Sequence, residues 1–385
     1  MTAQVVRHPG EFRWETRLLG VTTLILTVVG LASCYAAGTY MPRWFNEATQ
    51  QGIAALIGSA LFFAAAYTDY RIWRKIAFPM FVVTLAALGL IAIVAVGWWG
   101  KNAPGPLKTL FPLTKGAHRW IKVGAKIQVA EIARFTLAVW VAAYAATLGP
   151  KVRDLNEGFI PLIGIIAVVC GLVAVEPSVT MATTLAVIGV TVIFTAGARV
   201  PHLLVAVLVG VVAIVLVLKF DTVRSHRNST FQGSAIDCVA NGQECEGLIG
   251  FGGGGMLGRG FGSGTQMLGH TPDAYSDYLL SVIGEEWGFV GVTFVALCFS
   301  VFCWMGFRIA RTAPDPFGTY LASGLTVAVG VTAFLHAAVV TWLMPSTGMT
   351  LPFMSVGRVS LLLYLLSAGV IVSIGRQRGK PARSR

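Results

Sequence analysis

The sequence predicts an all-α polytopic integral membrane protein, and three observations carry that prediction. Hydrophobic residues fill 55% of the 385 positions and charged residues only 12%, where soluble domains carry about 25% charged. Mean hydropathy over the whole length is +0.73, which excludes a soluble domain with one anchor. Apolar stretches long enough for a bilayer span of roughly 20 residues recur about ten times. They leave little chain between them, so residues 1–385 read as one transmembrane domain with no internal repeat or linker.

In order, the expected spans cover 18–40, 50–68, 76–98, 127–148, 159–177, 179–198, 202–219, 278–307, 318–343 and 359–375. The first follows a polar segment, 1–17, and is long enough to cross, so no signal peptide is expected. Basic residues mark the cytoplasmic side. Arg7, Arg13 and Arg17, the turn Asp69-Tyr70-Arg71-Ile72-Trp73-Arg74-Lys75, and the tail 376–385 all fall on that side if the spans number ten. Both termini are then cytoplasmic, and the largest loop, 220–276 between helices 7 and 8, is extracytoplasmic.

Residues 99–126 break the charge rule. They lie outside by this count, yet they hold Lys101, Lys108, Lys115, Arg119, Lys122 and Lys126 and no acid. Lipid headgroups account for such a loop, and so does an electropositive funnel for an anionic substrate. A lipid diphosphate fits both the charge and the place.

Six cysteines add little. Cys34, Cys170, Cys298 and Cys303 fall in spans as packing residues. Cys238 and Cys245 share one polar loop and can pair if that loop is outside. No metal-ligand spacing occurs. The Asn228-Ser229-Thr230 sequon is too short a match to carry weight.

Asp277 stands at the mouth of the eighth span. Thr271-Pro272 reads as an N-cap followed by proline at the first helical position. On a helix continuing from there, Asp277, Ser281 and Glu285 share one face. Asp277 is either a capping group or an acid placed to work where water meets lipid. Glu131 and Arg134, three residues apart with Gln128 on the same face, are either a structural ion pair or part of a site. Arg119-Trp120 is either an interfacial anchor or an anion contact. Arg358, at the mouth of the last span, either snorkels or pairs with an acid or a phosphate. The glycine-rich run Gly252 to Gly264 lacks the lysine and hydroxyl ending of a P-loop. Nucleotide binding is excluded and no nucleic-acid partner is expected; the glycines let backbone approach closely or let a re-entrant segment bend. The prolines and glycines of Met344 to Ser360 make a shaped turn rather than a simple connector.

Taken together, these blocks resemble the SEDS family, the FtsW/RodA type of peptidoglycan glycosyltransferase. Gly116-Ala117-His118-Arg119-Trp120-Ile121 followed by Gln128 and Glu131 is similar to one family block. Gly258 to Gln266, Pro272 to Asp277 and Ile283-Gly284-Glu285-Glu286-Trp287-Gly288 are similar to the central block. Gly348 to Gly357 is similar to the closing block, nearer the FtsW branch. The likeness runs over nearly the whole chain. Departures are Val129-Ala130 for a proline-serine pair, Arg134 for lysine, Ser178 for aspartate, Val356 for tyrosine, Arg358 for glycine, and His336 near a usual asparagine.

The resemblance implies a multi-pass protein of the bacterial cytoplasmic (inner) membrane that polymerises lipid II at its outer face. It implies Asp277 as general base toward the acceptor sugar hydroxyl, with inversion at the donor, a glycan on a polyprenyl diphosphate. Arg119, Lys122, Gln128, Glu131, Arg134, Gln266, Ser355 and Arg358 would contact substrate. A class B penicillin-binding protein (a transpeptidase) and division or elongation complex proteins would be partners, with membrane lipid around the spans. No cofactor follows from the residues, though a divalent cation is compatible with a diphosphate substrate. Septal synthesis is the expected role; the alternatives are a RodA-like elongation polymerase, a lipid II flippase or transporter, and a non-catalytic scaffold.

Overall fold

The computed structural model describes residues 13–38, 42–96, 110–114, 117–123, 125–176, 178–220, 242–264, 274–345 and 347–377. Three helices come first: α1 (Arg13–Gly38), α2 (Pro42–Tyr67) and α3 (Arg71–Val96). Two small antiparallel hairpins follow, β1 (Leu113–Thr114) with β2 (Ala117–His118) and β3 (Trp120–Val123) with β4 (Ala125–Gln128). Then come α4 (Val129–Leu148), α5 (Ile160–Val175), α6 (Val179–Thr195), α7 (Val200–Phe220) and α8 (Gly242–Gly253). A single turn, α9 (Ala274–Asp277), leads into α10 (Leu279–Arg311), α11 (Pro316–Val340) and α12 (Arg358–Arg376).

Among the described residues, eight helices are long and apolar enough to cross a membrane, and two shorter apolar helices cover Val179–Thr195 and Val200–Leu216. Each apolar stretch read from the sequence falls on one of these helices. Their outward surfaces are apolar: Leu56, Val83, Leu204 and Leu208 are exposed at 75, 69, 65 and 64%. A soluble protein would not leave so much contiguous apolar surface in water. The protein is an all-α polytopic membrane protein apart from the hairpins.

Three local expectations need correction. The all-α expectation has an exception at the end of the loop 99–126, where Trp120 to Val123 pairs with Ala125 to Gln128 in register. The second helix starts at Pro42 rather than near 50, since proline is well tolerated in the first helical turn. The helix entering the eighth span is broken. Tyr278 has φ −129° and ψ 23°, so it is the N-cap of α10 rather than a residue within it. Asp277 therefore ends its own short turn, off the continuous helix face of Ser281 and Glu285. The expected cap at Thr271-Pro272 lies outside the described residues.

Helices joined by short turns alternate in direction, which gives the bundle two ends. At one, Asp315 caps α11 by accepting from Gly318 N at 2.8 Å. Its Oδ2 also accepts from Tyr70 Oη at 2.6 Å and Arg71 Nε at 3.1 Å. Burial, then the Asp315 hydrogen bond, push the Tyr70 phenol above its ordinary range, so it stays a donor. The turn between α2 and α3 is thereby stapled to the turn between α10 and α11. The hairpins, α9 and the segment between α11 and α12 occupy the other end.

Candidate active site

The glycine-rich segment after α8 closes onto a defect in α10. Gly288 has φ 65° and ψ −161° inside that helix, which removes the helical bonds that Phe289 N and Val290 N would make to Glu285 O and Glu286 O. All four groups are paired with the glycine segment instead. Arg259 N donates to Glu285 O at 2.9 Å and Gly260 N to Glu286 O at 3.0 Å, while Phe289 N donates to Gly255 O at 2.9 Å and Val290 N to Met256 O at 3.2 Å. A Cβ on Gly258, itself at φ 78°, would stand 2.1 Å from Glu286 O. The glycines are there for close backbone approach. The side chains add a bond from Arg259 Nη1 to the buried Glu285 Oε1 at 3.2 Å.

The break at Tyr278 sets Asp277 against the segment that precedes α12. Val356 N donates to Tyr275 O at 3.0 Å. A Cβ on Gly348 would lie 3.4 Å from Asp277 Oδ2. Asp277 is half-buried and Gly348 exposed, so the carboxylate reaches the edge of an open surface. Tyr275 is buried, and burial followed by the charge of Glu286 pushes its phenol above the ordinary range. It therefore stays neutral and adds no second charge beside Asp277.

The segment before α12 is itself strained. Trp342 (φ 58°) and Phe353 (φ 64°) are the described non-glycine residues at positive φ, a conformation costly for bulky side chains. Packing holds Phe353 there: it is 2% exposed and its ring lies 5.3 Å from Phe302 and 5.8 Å from Tyr364. His336 Nδ1 donates to Met349 O at 2.8 Å. Thr350 Oγ1 and Ser360 Oγ are 3.1 Å apart.

Glu131 and Arg134 lie beneath this segment in a buried network. Ser360 Oγ donates to Glu131 Oε1 at 2.9 Å. Arg134 donates to Thr332 Oγ1 at 3.2 Å, to Ser360 Oγ at 3.3 Å and to Tyr364 Oη, and its guanidinium stacks over the Tyr364 ring. Its Nη2 is 3.9 Å from Glu131 Oε1. Here α4, α11 and α12 are cross-linked through one guanidinium.

The remaining expected site residues are distributed around these. Arg119 links β2 to β3 and is half-buried; Lys122 is exposed on β3. Gln128 pairs with Trp120 across the hairpin and precedes α4 without making a side-chain cap. Ser355 is buried, and its Oγ accepts from Leu351 N at 2.9 Å. Arg358 lies 3.6 Å from Glu47 on α2, both substantially exposed, so the acid it meets is Glu47. Gln266 lies outside the described residues.

Sequence reasoning passed over Glu176 as a candidate. Its carboxylate is fully buried, and neither oxygen has a hydrogen-bond partner among the described residues. Burial opposes its charge and the Arg119 guanidinium favours it. A lone acid at the end of an apolar stretch was the available signal. Among the described residues no cluster of His, Cys, Asp or Glu could hold a metal ion. Cys245 is disulfide-bonded, the other four described cysteines are free, and Cys238 lies outside the described residues.

Comparison with known proteins agrees with this architecture. The probable peptidoglycan glycosyltransferase FtsW of Trichlorobacter lovleyi is 32% identical over 378 residues, 96% of each chain. Stage V sporulation protein E of Bacillus subtilis is 30% identical over 93% of this chain and 96% of its own. Among solved structures, a chain of a peptidoglycan synthase complex that coordinates polymerization and crosslinking superposes with a TM-score of 0.72 at 20% identity, covering 94% of this chain and 98% of that one. RodA, the rod shape determining protein of Thermus thermophilus, superposes with a TM-score of 0.66 at 22% identity, over 94% and 97%. These structural likenesses are of fold. The family model for the FtsW, RodA and SpoVE type of cell cycle protein matches residues 15–380, and the chain belongs to that family.

Proposed function

We propose that this chain is a peptidoglycan glycosyltransferase that polymerises lipid II at the outer face of the bacterial cytoplasmic membrane, serving septal synthesis in division. The names of its relatives support the reaction and the division role. The observation that carries the site assignment is the position of Asp277: a half-buried carboxylate beside Gly348, at the end of the bundle where the Arg119 hairpin also lies.

Asp277 takes the proton from the acceptor sugar hydroxyl as that oxygen attacks the anomeric carbon of the donor glycan. The bond to the polyprenyl diphosphate breaks on the opposite face, and the configuration inverts. Arg119 and Lys122 receive the negative charge of the departing diphosphate, with Arg358 at the rim and Gln128 and Gln266 as further polar contacts. Glu131 and Arg134 act from below by holding Ser360 and the segment before α12, and Ser355 by shaping its turn. The neighbour that couples polymerization to crosslinking supports a class B penicillin-binding protein as partner.

The test is gel analysis of polymer made from lipid II by the purified protein, alone and with its transpeptidase. Asp277→Asn should lower the rate by about 10²–10⁴-fold without lowering the melting temperature. Polymer made by Asp277→Asn at the native rate would remove Asp277 from this role. A native protein that makes no polymer with its transpeptidase present would remove the reaction.

A further inference from the structure

Gln51 lies on α2 within an apolar span and is 1% exposed. A buried amide without partners costs roughly 1–3 kcal/mol by mutational measure. Both ends of this one are bonded, and both to main chain of the segment before α12. Its Nε2 donates to Ser355 O at 2.8 Å, and its Oε1 accepts from Gly357 N at 3.2 Å. The residue between those two, Val356, points its N–H the other way, to Tyr275 O at 3.0 Å.

The strip 355–357 is thus gripped by a side-chain amide on one side and grips the Asp277 turn on the other. Met354, just before it, lies flush on α1: a Cβ on Gly30 would come 2.4 Å from Met354 Cα, so the strip cannot retreat in that direction. The Asp277 turn has no helical continuity with α10 to fix its phase, because Tyr278 interrupts it. Val356 N bonds the backbone of that turn at Tyr275 O, and Gly348 lies beside its carboxylate.

Resting on the assignment of Asp277 as base, we infer that Gln51 is a positioning residue for the reaction. By clamping Ser355 O and Gly357 N it fixes the direction of Val356 N–H, and through Tyr275 it fixes where Asp277 presents its carboxylate. Gln51 touches no substrate in this role.

Steady-state kinetics of the purified full-length protein on lipid II test this. Gln51→Met keeps an unbranched side chain of similar length and removes both bonds. It should lower kcat by about ten- to a hundredfold, the range expected for a reacting group displaced by ~1 Å, while KM for lipid II stays at the wild-type value. The melting temperature falls modestly, since Ser355 O and Gly357 N lose their partner. Gln51→Asn keeps an amide one methylene too short to reach both partners, and its kcat should fall between the two. An unchanged kcat in both variants overturns the inference, and so does a fall in kcat, measured well below the melting temperature, that comes with a raised KM. If Gln51→Met does not fold, the same criteria applied to Gln51→Asn decide. Loss of activity in Asp277→Asn with full activity in the Gln51 variants sinks only the role of Gln51; full activity in Asp277→Asn sinks the base assignment itself.

Discussion

The two ends of the helical bundle are built on opposite principles. At the Asp315 end, one carboxylate satisfies a helix N-terminus, a phenol and a guanidinium, and Ser373 Oγ donates to Thr68 O at 2.5 Å. At the Asp277 end, the buried Ser281 Oγ, Thr347 Oγ1, His336 Nε2 and both Glu176 oxygens have no hydrogen-bond partner among the described residues. Trp342 and Phe353 hold strained backbone at that same end. Toward the other side, His202 Nδ1 and Trp140 Nε1 are exceptions among the described residues. Unsatisfied polar atoms and strain persist where the surrounding structure over-determines them, and they concentrate at sites that do chemistry. The Asp315 end ties helices together through satisfied groups, whereas the Asp277 end leaves buried polar atoms without described partners, the arrangement expected if Asp277 is the base.

Substitutions can break this contrast, and the largest effect is expected at Asp277. Its replacement by asparagine changes the rate and leaves stability alone, the mark of a group that the fold does not need. Next is Arg134→Leu, which strands the buried Glu131 carboxylate. Loss of one partner of a buried pair costs about 3–5 kcal/mol, so thermal unfolding in detergent should drop sharply and activity with it. Asp315→Ala removes a cap and two side-chain bonds and should cost about 2 kcal/mol, while polymer formation well below the melting temperature stays at the wild-type rate. An Asp315 variant that is stable but inactive would erase the division of labour between the ends. The smallest effect on stability belongs to Arg358→Ala. Its partner Glu47 is 3.6 Å away and both are exposed by more than a third, so the change should stay under about 1 kcal/mol. A raised KM for lipid II in that variant would place Arg358 at the substrate.

The contrast was only half legible in the sequence. Helices are visible because each apolar run carries its own signal, and the Glu131–Arg134 spacing announced a shared face. Residues 131 and 134 could not announce Ser360, Thr332 or Tyr364, since those contacts arise only when α4, α11 and α12 meet. Asp277 was singled out from its place at the mouth of a span, yet its neighbour Gly348 comes from a segment about seventy residues on. The breaks at Tyr278 and Gly288 are backbone conformations, which a hydropathy reading does not report. Gln51 left little trace, because it stands beside Gln50 at the polar start of its apolar stretch.

The pairing of the glycine segment with the Gly288 break bears on how the chain enters the bilayer. In lipid each open backbone group costs several kcal/mol, so a helix carrying two broken bonds would resist insertion by itself. The groups that satisfy it, on residues 255 to 260, lie ahead of α10 in the chain. They emerge from the ribosome first. The defective helix can therefore leave the translocon beside the peptide that completes it, and chain order becomes a condition of assembly as well as of connectivity.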